Sequence, residues 1–296
     1  MPRMIRRVFI DTAWNSKKHI CYDPEKDVFF EADSLAELKD YDEIYLDSSL
    51  FPNMWQQLRG LISNGKRVYY FTRPWKWREI RERFREDLKA KTGRVSKSDE
   101  GDAYLLWKVY ELSLIKKNTH RYFRLLTIVD VELRPLLMKE TLLYKNLQRI
   151  HRASMAGVDV GSDVKMLEKM TEDIKREIVD KAIEIIPRFI DIAECLRLNI
   201  DDVNELIGLA GLLVYNKSTS YQKSVKYLGL YKAKGRDGRK IKKYSSMAQR
   251  HLIMLTNTIS WKSGEYRPPR YRDFRKILKT VIETRKQIGL AGGTGV

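Results

Sequence analysis

The sequence predicts an α/β fold, a mixed sheet flanked by helices, followed by a long-helix stalk and a mostly α-helical C-terminal domain. Three observations carry this expectation. Short apolar runs alternate with helix-like segments from Arg7 to Thr72, apolar residues recur at three- and four-residue steps after Val131, and the composition turns strongly basic after Asn199.

Taken in order, Arg7-Val-Phe-Ile-Asp11 is an apolar run ending in a carboxylate, the pattern of a buried strand. His19–Asp23 and Asp27–Glu31 read as strands around the turn-like Pro24-Glu25-Lys26, which makes a hairpin. A short helix near Leu35–Leu38 leads to Asp42–Asp47, again a β-run with an acid at its end. Pro52–Ser63 reads as a helix with Pro near its start and Asn64-Gly65 at its close. Arg67–Thr72 is the next strand. The order βββαβαβα places an antiparallel hairpin at the start of the sheet.

Arg73–Lys97 is basic and carries Trp75 and Trp77. It reads either as an arm that grips phosphates or as a surface helix with Ile80 and Phe84 facing the core. A helix runs on from Asp102 to about Lys116. Leu136, Leu137, Leu143, Leu147 and Ile150 mark one long helix, and Leu167, Met170, Ile174, Ile178, Ala182 and Ile185 a second. Residues 157–161 link the two, Pro187 is expected to kink the second, and the stripe serves as plain core or as a dimer seam. Ile207–Leu213 contains two small-residue turns before or within helices, where backbone N–H groups are expected to meet DNA phosphate. Residues 217–243 form a dense basic block with Asp237 as the single acid, and Ala248–Ile259 a helix. Residues 266–275 are rich in Arg and Tyr, and the glycine-rich tail 289–296 is expected to be disordered. The predicted domains are therefore 1–125, the stalk 126–198, 199–288, and the tail.

Composition narrows the function. With 296 residues, 43% hydrophobic and 32% charged, the chain is globular in character. No apolar run approaches the roughly 18 residues needed to cross a bilayer, and Val8-Phe9-Ile10 is too short for a signal-peptide core. A cytoplasmic protein with no membrane partner is expected. Cys21 and Cys195 have no CxxC spacing, and His19, His120, His151 and His251 form no zinc-ligand set. The net charge of +18 predicts a polyanionic partner. Interleaved Arg, Tyr and Trp favour nucleic acid over a lipid surface, and ion-pair surfaces of the thermophile kind usually balance their signs. The candidate nucleic-acid contacts are Arg73, Lys76, Arg78, Lys91, Arg94 and Lys97, and then Lys232, Lys234, Arg236, Arg239, Lys240, Lys242, Lys243 and Arg250.

Within Lys97-Ser98-Asp99-Glu100-Gly101-Asp102-Ala103, Asp99 and Asp102 lie three residues apart and share a helix face. Such a pair suits a hard cation, which takes one or two protein carboxylates plus water and substrate phosphate. It also reads as a plain helix start, with Asp99 as N-cap and Asp102 at the third helical position. Asp11 and Asp47 end apolar strands, where ligands bind in parallel sheets. Four carboxylates meeting at one edge repel one another unless cations neutralise them.

With these residues in view, the chain resembles the transposases of the insertion sequence 110 family and their pilin-gene-inverting relatives. Arg7–Asp11 is similar to the family's first strand with its leading Asp. Ile44-Tyr-Leu-Asp47, Leu58–Gly65 and the strand around Val68 are similar to its Glu-bearing strand, helix and Gly. Lys97-Ser98-Asp99-Glu100-Gly101-Asp102-Ala103 resembles its Lys-Thr-Asp-x-x-Asp-Ala signature, the most specific of the matches. Ile207–Leu213, Tyr227-Leu-Gly-Leu230 and Arg250 resemble C-terminal landmarks. The resemblance implies a RuvC-like (RNase H-like) catalytic domain over 1–125, a coiled-coil stalk and a C-terminal transposase-like DNA-binding domain. It further implies Asp11, Asp47, Asp99 and Asp102 as a catalytic tetrad binding Mg²⁺ or Mn²⁺, DNA as substrate, and a homodimer or homotetramer, with room for a guide RNA.

Two departures stand out. Asp47 replaces the family's Glu, and after Gly229-Leu230 the expected Ser-Gly is missing. Tyr231 stands there instead, while Ser218, Ser220, Ser245 and Ser246 fall outside the motif. The same features accommodate a non-cleaving nucleic-acid-binding protein on the old scaffold, or a Holliday-junction-type resolvase.

Overall fold

The computed structural model describes residues 5–13, 18–48, 54–218, 220–230, 245–264 and 269–287. The chain divides into two compact units, Met1–Glu132 and Leu133–Val296. The predicted stalk and C-terminal domain thus fall largely within one unit.

In the first unit, among the described residues, one sheet contains β1 (Arg7–Asp11), β2 (His19–Asp23), β3 (Val28–Ala32), β4 (Glu43–Leu46), β5 (Arg67–Phe71) and β6 (Phe123–Leu125). Their order is β3-β2-β1-β4-β5-β6. β1, β4 and β5 run parallel, and β2, β3 and β6 pair antiparallel with their neighbours. The mixed sheet opening in a hairpin is as expected from the sequence. β6 was not expected, because three residues are too few to show a period.

Central strands here are apolar on both sides because both faces are covered. On one face Val8, Ile10, Ile44, Leu46 and Val68 pack with Leu35, Leu58 and Leu61, the last two from α1 (Trp55–Ser63). On the other, Phe9 stacks on Tyr45 and Tyr45 on Tyr69, each at 4.8 Å between ring centres. Against this aromatic face lie Ala103, Leu106, Val109 and Tyr110 of α4 (Asp99–Ile115).

The basic segment after β5 forms α2 (Trp77–Arg83) and α3 (Arg85–Thr92). Ile80 and Leu88 are buried, and the Trp77 ring sits 4.9 Å from that of Phe71. The surface-helix reading accounts for this segment better than the mobile arm.

The second unit is helical. α5 (Ile128–Met155) begins before the boundary, and α6 (Gly161–Ile185), α7 (Phe189–Cys195), α8 (Val203–Tyr215), α9 (Tyr221–Tyr227), α10 (Ser246–Lys262) and α11 (Tyr271–Gln287) follow. Leu137, Leu143, Leu167, Ile174, Ile178 and Ala182 of the predicted stripe are buried, which favours core over seam. α6 stops at Ile185, so Pro187 lies beyond the helix end and does not kink it. The expected small-residue turns at Ile207–Leu213 are instead the middle of α8, buried against α10. Their N–H groups lie within the helix and do not face solvent phosphate. α11 escaped the sequence reading, which saw only Arg/Tyr richness there. The tail 289–296 and most of the basic block, residues 231–244, lie outside the described residues. Among the described residues no helix is long and apolar enough to cross a membrane.

Candidate functional site

Side chains along a strand alternate between faces. Phe9 and Tyr45 point to the α4 face, so Asp11 and Asp47, each two residues further on, belong to that same face. β1 and β4 are parallel neighbours with Ile10 beside Leu46, and Asp47 N–H donates to the Ile10 carbonyl at 3.1 Å. Asp11 and Asp47 therefore leave the sheet side by side.

α4 delivers the other two acids. Its N-cap is Ser98, not Asp99: Ser98 Oγ accepts from the Gly101 N–H at 3.1 Å. Asp99 is the first helical residue and Asp102 the fourth, so neither is committed to capping. Asp102 is buried and Asp99 exposed.

The four acids act on one another through their charge. Burial, and then the charges of Asp47, Asp102 and Asp99, push the Asp11 carboxyl up to about 9. Burial raises Asp47 as well, opposed by hydrogen bonds from Thr12, Ser48 and Asp11. Thr12 donates both its N–H, at 2.9 Å, and its hydroxyl, at 2.5 Å, to Asp47 Oδ1. Asp102 is lifted to about 6 by burial, with Arg81 and Lys97 pulling it down and Asp47 and Asp99 pushing it up. The Arg81 guanidinium donates to Asp102 Oδ1.

The structure thus brings all four predicted carboxylates to one sheet edge, within reach of one another's charge. Their donor chemistry fits a hard divalent cation, and carboxyls whose proton affinity is raised by burial and by neighbouring acids sit where positive charge is favoured. Among the described residues no three His, Cys, Asp or Glu side chains are already gathered around one ion position.

Of the predicted nucleic-acid contacts, Arg78, Arg94 and Lys97 are exposed on the first unit, Arg94 with its guanidinium 3.8 Å from Glu100. Trp75 stands out beside them, 73% exposed. Others have internal partners: Arg73 Nε donates to the Arg121 carbonyl at 2.8 Å, Lys76 pairs with Glu79, and Lys91 with Asp27. Arg250 departs furthest from expectation. It grips the buried Glu140 with two hydrogen bonds, at 2.5 and 2.6 Å, inside the second unit. Such a bidentate pair leaves little of the guanidinium for a phosphate. Lys232, Lys234, Arg236, Arg239, Lys240, Lys242 and Lys243 lie outside the described residues, as does Tyr231. Ser220 and Ser245 cap α9 and α10 through their hydroxyls.

Sequence reasoning missed Thr12 and Arg81. Thr12 adjoins Asp11, but only strand pairing shows that it serves Asp47. Arg81 was one arginine among many in a basic segment, with no local signal to single it out. No protein-family model and no curated protein matches the chain.

Proposed function

We propose that the N-terminal unit is a RuvC-like, divalent-cation-dependent centre that cleaves or transfers DNA phosphodiesters, in a transposase or recombinase of the insertion sequence 110 type. The supporting observation is that Asp11, Asp47 and the Asp99/Asp102 pair, from three separate elements, meet at one edge, where burial and then the neighbouring aspartates raise the proton affinity of Asp11 and Asp102. A body of net charge +18 that converges acids at one place has a use for cations there.

In this reading the four aspartates hold Mg²⁺ or Mn²⁺. When bound, such ions activate an attacking oxygen and stabilise the leaving oxygen of a phosphodiester. Thr12 fixes the rotamer of Asp47 by double donation to one of its oxygens. Asp11 would hold the ion as a carboxylate. Arg78, Arg94 and Lys97 contact the sugar-phosphate backbone, and Trp75 offers a stacking face. A guide RNA and a dimer or tetramer accompany this reading through the resemblance alone.

The test is cleavage of nicked and branched DNA with Mg²⁺ by the wild-type chain and by Asp102→Asn. Loss of at least two orders of magnitude in rate is expected, the scale of removing a group that holds charge in the transition state. Unchanged cleavage removes the assignment. Selective action on four-way branched DNA, without strand joining, points to the resolvase, which needs no serine.

One observation favours a second reading, a non-cleaving nucleic-acid-binding protein: Arg81 already neutralises Asp102. In that case Mg²⁺ produces no thermal stabilisation that depends on Asp99, while salt-sensitive binding to DNA persists.

A further inference from the structure

Arg81 lies in the last turn of α2. Buried Ile80 and the Trp77–Phe71 ring contact hold this helix on the aromatic face, the face on which Asp11 and Asp47 leave the sheet. From there the guanidinium reaches Asp102 Oδ1, 21 residues on in sequence. Both partners are largely out of water, with side chains 18% and 7% exposed. An arginine spends considerable conformational entropy and desolvation to sit in such a place, and removing a partner from a buried ion pair leaves an expensive lone charge. The pair is therefore a specific element of the site, unlike the exposed Arg78 on the same helix.

Two cations cannot share one carboxylate oxygen at contact distance without strong repulsion. The guanidinium takes part of Oδ1 and brings its charge to the carboxylate, so an ion that binds Asp102 meets its repulsion, and the guanidinium has no acceptor to offer the ion. The carboxylates, meanwhile, are close but not gathered around an ion position. Lys97 makes a useful contrast: it acts on Asp11 and Asp102 through its charge, from an exposed position.

We propose that Arg81 is a resident counter-ion that competes with divalent cations for Asp102, so that loading the site and releasing the guanidinium are a single exchange. The inference rests on reading Asp11, Asp47, Asp99 and Asp102 as a cation site. The affinity of the site for metal is then set partly by an arginine that would not coordinate metal. The freed guanidinium, planar and always charged, is suited to phosphate.

The experiment is a calorimetric titration of the full chain with Mn²⁺, without nucleic acid, for wild type, Arg81→Gln, Arg81→Lys, Lys97→Gln and Asp11→Asn. Circular dichroism melts establish that each is folded. Arg81→Gln is expected to bind Mn²⁺ about tenfold more tightly than wild type, the scale of one charge-assisted hydrogen bond. Lys97→Gln is expected to shift affinity by about threefold or less, the effect of a screened charge. Arg81→Lys, which keeps the charge and loses the planar fork, falls between wild type and Arg81→Gln and reads the same competition if the neutral variant fails to fold.

Equal affinity of wild type and Arg81→Gln, with binding abolished by Asp11→Asn, overturns the exchange and leaves the cation site standing. So does an equal gain in Lys97→Gln, which reduces Arg81 to general charge. If neither wild type nor Arg81→Gln binds millimolar Mn²⁺, the cation-site reading falls and the exchange falls with it.

Discussion

Asp11 holds its proton far above the ordinary carboxylate value of 3.8, up to about 9, because burial and then the charge of Asp47 weigh against ionisation. The consequence for stability has a definite sign. Between those two values the folded chain binds more protons than the unfolded one. The stability this contributes is fully present below pH 3.8 and is lost progressively as pH rises toward 9. Asp11→Asn has no proton to lose. In metal-free buffer with a chelator, its melting temperature should therefore gain on that of the wild type as pH rises from 5 to 8, by several degrees. A constant difference across that range would show that Asp11 does not carry the proton. Thr12 and Arg81 belong to the same scale: each donates to one oxygen of one aspartate.

Among the elements, α8 and α10 show what sets a close helix contact. A Cβ added at Gly208 would lie 2.7 Å from the backbone nitrogen of Leu255, and one at Gly211 would lie 2.2 Å from the His251 ring. The helices meet this closely only because both positions are glycine. His251 is fully buried and stacks near Tyr215 at 5.8 Å. Neither of its ring nitrogens has a hydrogen-bond partner among the described residues, and burial drives its titration down to about 3, so it packs as a neutral ring. Gly211→Ala should then cost about 3 kcal/mol, the upper range for overpacking a dense core. Gly60, inside α1, has nothing within 4 Å of an added Cβ. There the same change should stabilise by about 0.5–1 kcal/mol through helix propensity. Urea denaturation midpoints for the two variants check the opposite signs. Equal effects would mean that the α8–α10 spacing adjusts freely.

The whole molecule carries +18, and its exposed basic side chains should make nucleic-acid affinity fall steeply with salt. Replacing Arg78, Arg94 and Lys97 together with Ala should lower the slope of log affinity against log salt by about 2–3, roughly one per lost phosphate contact. Arg250→Ala should leave that slope nearly unchanged and instead destabilise the chain, because it strands the buried Glu140. Filter binding across a salt series, paired with melts, separates the two. A slope unaffected by the triple change would place the nucleic-acid contacts elsewhere.

Much of the first unit was legible in the sequence. Val8-Phe9-Ile10 and Ile44-Tyr45-Leu46 announce buried strands, and Asp11 and Asp47 announce their ends, because an unbroken apolar run and a terminal charge are local properties of the chain. The second unit was less legible. Gly208 and Gly211 looked like turn residues, since a glycine chosen for loops and one chosen for close packing are identical until the partner helix is known. α11 went unseen because its basic face dominated a reading based on composition.

Sequence alone determined the order of the first five strands, the excess of positive charge and which acids end strands or open a helix, since each depends on neighbours a few residues away. Only tertiary structure decided that Thr12 serves Asp47, that Arg81 neutralises Asp102 and that Arg250 is bound to Glu140. Those choices depend on which surfaces meet when distant segments pack, and on which charge finds a partner once water is excluded.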